Sequence, residues 1–107
     1  MSGKYNYRIT ELCQSDIDDA LSYMSVQLHN PDAAESMYFK IEKEIDYITR
    51  YPYTRADCQY YYISDTRYRH SIIGNYVLVY YVDDENMELR ILRFLYGKMD
   101  FSDIEME

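Results

Sequence analysis

The chain has 107 residues, of which 48% are hydrophobic, and this length and composition are typical of one globular domain and not of a disordered chain. Its 19 acidic and 11 basic residues give a formal net charge of -8, which disfavours a protein that binds nucleic acid over its whole surface. No apolar run approaches the roughly 18 residues of a membrane span, and no signal-like segment opens the chain, so we expect neither a membrane protein nor a secreted one.

The acidic excess is unevenly distributed along the chain. Residues 1–49 hold nine acids and four bases, residues 50–98 hold six acids and seven bases, and residues 99–107 hold four acids and no base. The second half therefore has the composition for a local basic patch. The alternative, that these basic side chains pair with carboxylates on a solvated sheet face, stays open. The basic residues concerned are Arg50, Arg55, Arg67, Arg69, Arg90, Arg93 and Lys98.

A short strand and an amphipathic helix are predicted at the start of the chain. Apolar and polar residues alternate over residues 5–10, which is typical of a strand. Ser15 or Asp16 is a suitable helix N-cap, and the acids that follow favour the positive end of a helix. Apolar residues then recur at steps of three and four, which predicts a helix that ends near His29.

A second helix is predicted to begin directly after the first. The segment Asn30-Pro31-Asp32 indicates a helix start, because Asn caps a helix and Pro is tolerated in the first turn. Apolar residues at helical spacing continue over residues 34–48, and Tyr51-Pro52 predicts an end at about Arg50. Two amphipathic helices joined by so short a link are expected to lie antiparallel, as a hairpin with an apolar face to cover.

The second half of the chain is predicted to form the sheet that covers this apolar face of the helices. Gly74-Asn75 is expected to form a hairpin turn, since both residue types accept positive φ. Residues 76–82 are nearly all apolar, which favours a central strand covered on both faces. Gly97 ends the last strand, and residues 98–107 are expected to form a loosely held acidic tail. The predicted strands are residues 59–63 (weak), 68–73, 76–82 and 88–96.

The predicted fold class is α+β, in a single domain over residues 1–107. An N-terminal strand precedes an antiparallel two-helix hairpin, which packs on one face of a twisted, antiparallel sheet of four to five strands. The other face of the sheet is expected to be partly open. We expect a functional surface on that face.

No familiar catalytic or nucleotide-binding motif occurs in the sequence. Gly-rich phosphate loops, the zinc-protease motif and the nucleophile elbow are all missing, so neither a metal nor a cofactor is expected. His29 is expected at an exposed helix end, whereas His70 is either a surface residue of a strand or a general base near arginines. Cys13 and Cys58 have no metal-ligand spacing and are expected to be reduced and structural, which favours a cytoplasmic location.

Arg93 departs from the apolar pattern of the last predicted strand. Leu89, Ile91, Arg93 and Leu95 share one predicted face, so a guanidinium falls in an apolar row. A buried guanidinium needs a partner or a purpose. Two interpretations stay open: an ion pair with an acid from the helices, or a side chain that reaches into a pocket or a partner surface.

Three segments of the sequence carry a resemblance to a known family. They are residues 30–35, residues 45–52 and the stretch from Arg69 to Phe101, which contains Asn75-Tyr76 and the ending Gly97-Lys98-Met99-Asp100. Over residues 4–101 this ordered set resembles the RelE/ParE superfamily of toxins from bacterial type II (plasmid stabilisation) toxin–antitoxin systems. The resemblance implies a helical hairpin against an antiparallel sheet.

The resemblance implies one of two activities. RelE-like members are ribosome-dependent mRNA endoribonucleases, in which a ribose 2′-hydroxyl attacks its own phosphodiester with the help of a base, cations and an acid. ParE-like members inhibit DNA gyrase by binding it. Here Val77 stands where the nuclease line usually has Arg, Met99 stands where an Arg commonly follows the basic residue, and the ending at Asp100 resembles ParE-like endings.

Candidate residues for each activity follow from the resemblance. A nuclease would use Arg69, Arg93, Tyr96 and Lys98 as its catalytic residues. A target-binding surface would use Arg67, Arg69, His70, Tyr96 and Lys98.

The departures at Val77 and Met99 favour binding over catalysis. A net charge of -8 also repels ribosomal RNA. We therefore expect a toxin that binds a macromolecular target, with DNA gyrase as the first choice, and that forms a complex or hetero-oligomer with a cognate antitoxin. A ribosome-dependent nuclease and a degenerate, non-toxic interaction domain are the alternatives. Neither a membrane nor free nucleic acid is expected as a partner.

Overall fold

A computed structural model of the protein describes residues 4–99, 101–102 and 104–106. Two helices pack on one face of a five-stranded sheet with the order β1-β5-β4-β3-β2. The strands are β1 (Asn6–Ile9), β2 (Ala56–Asp57), β3 (Tyr68–Ile73), β4 (Tyr76–Asp83) and β5 (Glu88–Tyr96), and the helices are α1 (Glu11–Ser22) and α2 (Pro31–Arg50). The predicted α+β class is confirmed.

The sheet is mixed rather than wholly antiparallel. The pairs β2–β3, β3–β4 and β4–β5 are antiparallel, as predicted, but β1 runs parallel to β5. The first strand therefore pairs with the last one, at the edge of the sheet, and both helices lie in the connection that returns the chain to the sheet.

The first helix begins earlier than the sequence predicts. Thr10, and not Ser15 or Asp16, is the N-cap of α1: its hydroxyl oxygen accepts a hydrogen bond from the Cys13 N–H and donates one to the Leu92 carbonyl. The Asp16 side chain instead forms contacts with residues of β5, as described below. A π-helical turn, Tyr23–Gln27, extends α1 almost to the predicted end near His29, an exposed residue with φ of +52°.

The second helix begins and ends where the sequence predicts. The Asn30 side chain accepts a hydrogen bond from the Ala33 N–H, and Pro31 occupies the first turn. The helix ends at Arg50, where Tyr51 leaves the helical conformation one residue before Pro52. Asn30 and Pro31 therefore set the corner between the helices by local chemistry alone.

The prediction of a weak strand at residues 59–63 is wrong. Gln59–Tyr61 form a 3-10 turn, and the pairing segment is the shorter β2, opposite Arg69 and His70 of β3. The Cys58 carbonyl accepts hydrogen bonds from both the Tyr61 and the Ile63 N–H groups, and this closed turn leaves no backbone groups in register for a strand. Three successive tyrosines have strand propensity, but tertiary packing of Cys58 and Tyr61 overrides it.

The main core lies between the helices and the sheet. Alternate side chains of β4 (Leu78, Tyr80 and Val82) point into it, and the others (Val77 and Val79) point to the opposite face, so the prediction of a central strand covered on both faces is confirmed. The helices contribute Cys13, Ile17, Ala20, Met24, Met37, Ile41, Ile45 and Ile48 to this core.

A β-bulge in β5 changes which residues share a face. Val79 pairs with Arg93 and Tyr80 pairs with Ile91, so Leu92 is an extra residue in β5. Ile91 consequently faces the helices, whereas Leu92 and Leu95 face away from them. The predicted apolar row of Leu89, Ile91, Arg93 and Leu95 therefore does not form.

The second face of the sheet is covered, although the sequence predicts it to be partly open. Val77, Val79, Leu92 and Leu95 pack there against Cys58 and Phe101, and partly buried side chains surround them. The predicted tail contributes Phe101, Ile104 and Met106 to this cluster, so these apolar side chains are packed. Asp100, Asp103 and Glu107 lie outside the described residues. We call the packed group of Cys58, Val77, Val79, Leu92, Leu95 and Phe101 the second-face cluster.

Arg93 forms the ion pair that is one of its two expected roles. Its Nε and Nη2 atoms lie 2.7 and 3.0 Å from the two carboxylate oxygens of Asp16 in α1, and both side chains are only about 15% exposed (14% and 15%). The same carboxylate accepts a hydrogen bond from the Phe94 N–H at 3.0 Å. Arg93 also donates to the Glu105 carbonyl, so it connects α1, β5 and the C-terminal segment.

We predict that Asp16→Ala lowers the free energy of unfolding by about 3 kcal/mol, because it leaves a largely buried guanidinium without its carboxylate partner and a strand N–H without its acceptor. Urea unfolding followed by circular dichroism measures the loss. Asp18→Ala is the matched control, since Asp18 is exposed on the same helix and, within the described part of the chain, accepts a hydrogen bond from Gln14 alone. It should cost less than about 0.5 kcal/mol. Equal losses in the two variants would contradict this account.

Candidate binding surfaces

Arg69 is held by intramolecular contacts at one end of the sheet. Its guanidinium donates to the Thr66 carbonyl at 2.7 Å and to the Arg55 carbonyl at 3.0 Å, and it lies over the Tyr53 ring at 4.8 Å. These contacts fix the loop between α2 and β3. The guanidinium therefore has partners on three sides before any ligand arrives.

Arg67 and His70 are also engaged within the chain. Arg67 pairs with the Asp65 carboxylate at 2.9 Å and lies 5.3 Å from the centre of the Tyr81 ring. The His70 ring packs edge-on against Tyr61 at 5.2 Å. Burial is the largest influence on the pKa of His70 and lowers it, which favours the neutral form of the ring.

Tyr96 and Lys98 are exposed, as is Arg67, which is held by its ion pair with Asp65. Tyr96 is the last residue of β5 and packs edge-on against Tyr76 at 5.7 Å. Arg69 pairs with Tyr80 and Tyr96 pairs with Tyr76 on β4, so about 13 Å of strand separate the two positions. The structure thus brings Tyr96 and Lys98 to one end of the sheet, places Arg67 and Arg69 at the other, and fixes Arg93 against α1.

An apolar groove with a polar rim lies between β1 and the two helices. Its volume is about 380 Å³, and it includes the edge strand of the sheet. Ile9, Ile17, Ile41 and Ile45 line it, with Lys4, Gln14, Glu42 and Asp46 among its polar residues. Tyr7 and Tyr38 are exposed there. We call this the β1 groove.

A second hollow, of about 500 Å³, lies beside Tyr96. Tyr23, Met24 and Leu28 border it from the helical corner, and Asn75 and Tyr76 border it from the β3–β4 turn. The Tyr76 ring stacks on Phe94 at 4.7 Å, which fixes the floor. Burial raises the pKa of Tyr76, so this hydroxyl stays protonated at neutral pH.

The sequence did not predict the aromatic residues of these surfaces. The apolar stripes of the helices include Leu28 and Tyr38 by their spacing, which predicts that both are buried, yet both are exposed. Tyr23 lies outside the stripe of its helix, and an aromatic residue off the buried stripe is the one sequence signal that could have indicated a surface role. Within the described part of the chain, no three His, Cys, Asp or Glu residues are placed to hold a metal ion, and no helix is long and apolar enough to cross a membrane.

Asp84 joins three parts of the chain at the end of the sheet near Arg69. Its two carboxylate oxygens accept hydrogen bonds from the hydroxyls of Tyr5 and Tyr53, both at 2.6 Å. These hydrogen bonds lower the pKa of Asp84 and contribute to the raised pKa of Tyr53, about 12, for which burial is the largest cause. The N-terminal segment, the α2–β2 loop and the β4–β5 turn meet at this carboxylate.

One comparison with known proteins identifies a family, and others show a shared fold. The family model described as "ParE toxin of type II toxin-antitoxin system, parDE" matches residues 7–101. A search of curated proteins gives no match. The chromosomal ParDE toxin–antitoxin system from P. aeruginosa contains a similar structure, with a TM-score of 0.70 and 15% identity over 91% of this chain and 100% of that chain.

A second solved structure has the same fold. It is the toxin–antitoxin complex RelBE2 from Mycobacterium tuberculosis, with a TM-score of 0.57 and 19% identity over 87% of this chain and 98% of that chain. At these identities the structural likeness concerns the fold alone.

We predict that the stability contributed by the Asp84 contacts depends on pH. A carboxyl group whose pKa is lowered by folding stabilises the protein above its unfolded pKa of about 4, and this stabilisation is lost as the pH falls through the folded value. The loss of unfolding free energy caused by Asp84→Asn, measured by urea unfolding, should therefore be largest near pH 7 and shrink towards pH 3. In a Tyr5→Phe, Tyr53→Phe background the shrinkage should become much smaller, because the two hydrogen bonds are the largest causes of the lowered pKa of Asp84. An unchanged pH dependence in that background would assign the effect to other groups.

Proposed function

The chain belongs to the ParE family of toxins from type II toxin–antitoxin systems, and on this basis we propose that it arrests growth by binding a macromolecular target in the cytoplasm, DNA gyrase, and that a cognate antitoxin neutralises it. The proposal has two parts, the target and the antitoxin, and each is supported by a different surface of the molecule.

The covered second face supports binding over RNA cleavage. Val77, at the position where nuclease-like relatives usually carry Arg, is 4% exposed and belongs to the same apolar cluster as Phe101. In-line attack by a 2′-hydroxyl needs cations around the developing phosphorane, but Arg69 and Arg93 already have intramolecular partners. The filled face is the observation that carries this part of the proposal.

Tyr96 and Lys98 are the residues that we propose for target contact. Both are exposed at the end of β5, whereas Arg67, Arg69 and His70 are engaged in contacts within the chain. An acidic chain also suits a protein partner better than ribosomal RNA. The resemblance of the chain ending to ParE-like endings supports gyrase as that partner.

A ribosome-dependent nuclease is the alternative target activity. The fold is shared with a chain of the RelBE2 toxin–antitoxin complex, and Arg69, Arg93, Tyr96 and Lys98 are all present. If this alternative holds, Tyr96→Phe or Lys98→Ala should reduce cleavage strongly while the fold stays intact, because each removes an exposed group with few intramolecular contacts.

The β1 groove is the surface that we propose for the antitoxin. It combines an apolar floor with the edge strand of the sheet, and such a site accepts either an amphipathic helix laid into the groove or a strand added to the edge. Tyr7 and Tyr38 provide exposed aromatic contacts at its rim, and interface hot spots are enriched in tyrosine.

Two reactions separate the target activities. The purified protein is added to a gyrase supercoiling reaction with plasmid DNA and to a translating ribosome extract. We expect loss of supercoiling with cleaved, protein-linked DNA in the first and intact mRNA in the second. Cut mRNA at the ribosomal A site with unaffected gyrase would replace our proposal by the nuclease alternative. Inactivity in both reactions, with no growth arrest on expression, would indicate a degenerate domain.

The antitoxin site is tested with the small protein encoded beside the toxin gene. We expect the double variant Tyr7→Ser, Tyr38→Ser to bind it at least about tenfold more weakly, a loss of about 1.4 kcal/mol that is typical of removing interface aromatics. Calorimetry measures the affinity. Phe39→Ser is the matched control, since Phe39 is 60% exposed on the same helix but does not line the groove. Equal weakening by both variants would exclude the β1 groove as the specific site.

A further inference from the structure

The 3-10 turn at residues 59–61 is firmly anchored to the sheet. Cys58 is fully buried in the second-face cluster, and its carbonyl accepts two hydrogen bonds from the turn. The Tyr61 ring stacks on Phe101 at 4.7 Å and packs edge-on against His70. The Gln59 N–H donates to the Asp57 carboxylate. The backbone of the turn is thus fixed from both sides.

Two tyrosines project from this anchored turn into solvent. Tyr60 is 82% exposed and Tyr62 is 93% exposed, the highest values among the exposed large apolar residues of the described chain. Within the described residues, neither hydroxyl has a hydrogen-bond partner. Tyr62 also has φ of +66°, a left-handed conformation that a bulky residue rarely adopts. Such conformations persist only where the surroundings impose them, and they concentrate at binding sites.

The two tyrosines border a hollow that also contains one of the exposed target-binding candidates. The hollow has a volume of about 390 Å³ and lies between the turn and the chain that follows β5. Lys98 and Met99 line its other side. Exposed ring faces, free hydroxyls, a flexible thioether and one ammonium group therefore meet at a single site.

We propose that Tyr60, Tyr62, Lys98 and Met99 form a contact surface for the protein target of the toxin. This inference rests on the proposed function, and it adds residues that neither the sequence pattern nor the family resemblance indicated. Tyrosine is suited to this role because it offers a large, amphipathic contact area and loses little side-chain freedom on binding. The anchored turn presents both rings before the partner arrives, which reduces the ordering cost of association.

Charge identifies the occupant as a protein rather than a nucleic acid. Exposed aromatic rings next to a cation also suit base stacking, but among the described residues Lys98 is the one basic residue that lines the hollow. The sequence that follows it, residues 99–107, contains four acids and no base. Such a flank repels a phosphate backbone. It does not oppose contact with a protein surface that offers hydrogen-bond acceptors to the tyrosine hydroxyls.

The position of this surface separates it from the proposed antitoxin site. The second-face cluster, to which the turn is anchored, lies on the face of the sheet opposite the helices. The β1 groove lies between β1 and the helices, and it shares no residue with the hollow. Loss of the tyrosines should therefore weaken the target contact and spare the antitoxin contact.

The test compares the double variant Tyr60→Ser, Tyr62→Asn with the wild type and with Phe39→Ser. Asn is chosen at position 62 because it tolerates the left-handed conformation. Growth arrest on induced expression is measured at equal protein levels, together with gyrase inhibition and antitoxin affinity in vitro. We expect the double variant to need at least tenfold more protein for arrest and for gyrase inhibition, with antitoxin affinity within twofold of the wild type. The exposed-site variant Lys98→Glu should weaken arrest in the same direction.

Each other result counts against a stated part of the inference. Arrest by the double variant at wild-type protein levels would overturn the contact surface while leaving the toxin function in place. A parallel loss of antitoxin affinity would overturn it as well, since the turn would then be structural. DNA binding by the wild type without gyrase, lost in the double variant, would overturn the protein occupant. A wild type that arrests growth without affecting gyrase would refute gyrase alone, and a wild type that arrests nothing would refute both proposals.

Discussion

The ion pair between Asp16 and Arg93 holds the three layers of the molecule together. β1 pairs with β5 only as far as Ile91, and beyond that point the Asp16 carboxylate takes the place of a strand by accepting the Phe94 N–H. Arg93 connects the same carboxylate to the C-terminal segment. Buried ion pairs add little net stability compared with apolar packing, but they fix relative positions. Here the Asp16–Arg93 pair connects α1, the edge of the sheet at β5, and the C-terminal segment that covers the second face.

Features that depend on neighbouring residues could be predicted from the sequence, and features that depend on distant ones could not. Asn30 caps α2, Gly74 with φ of +61° forms the β3–β4 turn, and β4 is buried on both faces, each as local chemistry indicates. The bulge at Leu92 and the parallel pairing of β1 depend on contacts with other parts of the chain. So does the turn at Cys58, where burial of one side chain overrides the strand propensity of the tyrosines that follow.

The same distinction applies to the candidate site. The resemblance supplied Arg69, Arg93, Tyr96 and Lys98, but residue type alone does not reveal whether a guanidinium already has a partner. The structure separates arginines that stabilise loops and helices from the exposed Tyr96 and Lys98 at the end of β5. With 15 tyrosines in the chain, composition could not indicate which rings are core and which are surface, since that depends on how each turn is anchored.

The parallel pairing of β1 with β5 also determines when the sheet can be completed during synthesis. β1 leaves the ribosome before the other strands of the sheet, yet its partner residues are Glu88–Ile91 of β5, so it has no strand partner until β5 has emerged. Contacts of such long sequence separation are slow to form and leave edges unsatisfied in the meantime. The groove beside β1 is therefore among the last features of the domain to assemble, and any protein that recognises it distinguishes chains with a completed sheet from chains in which β5 is not yet made.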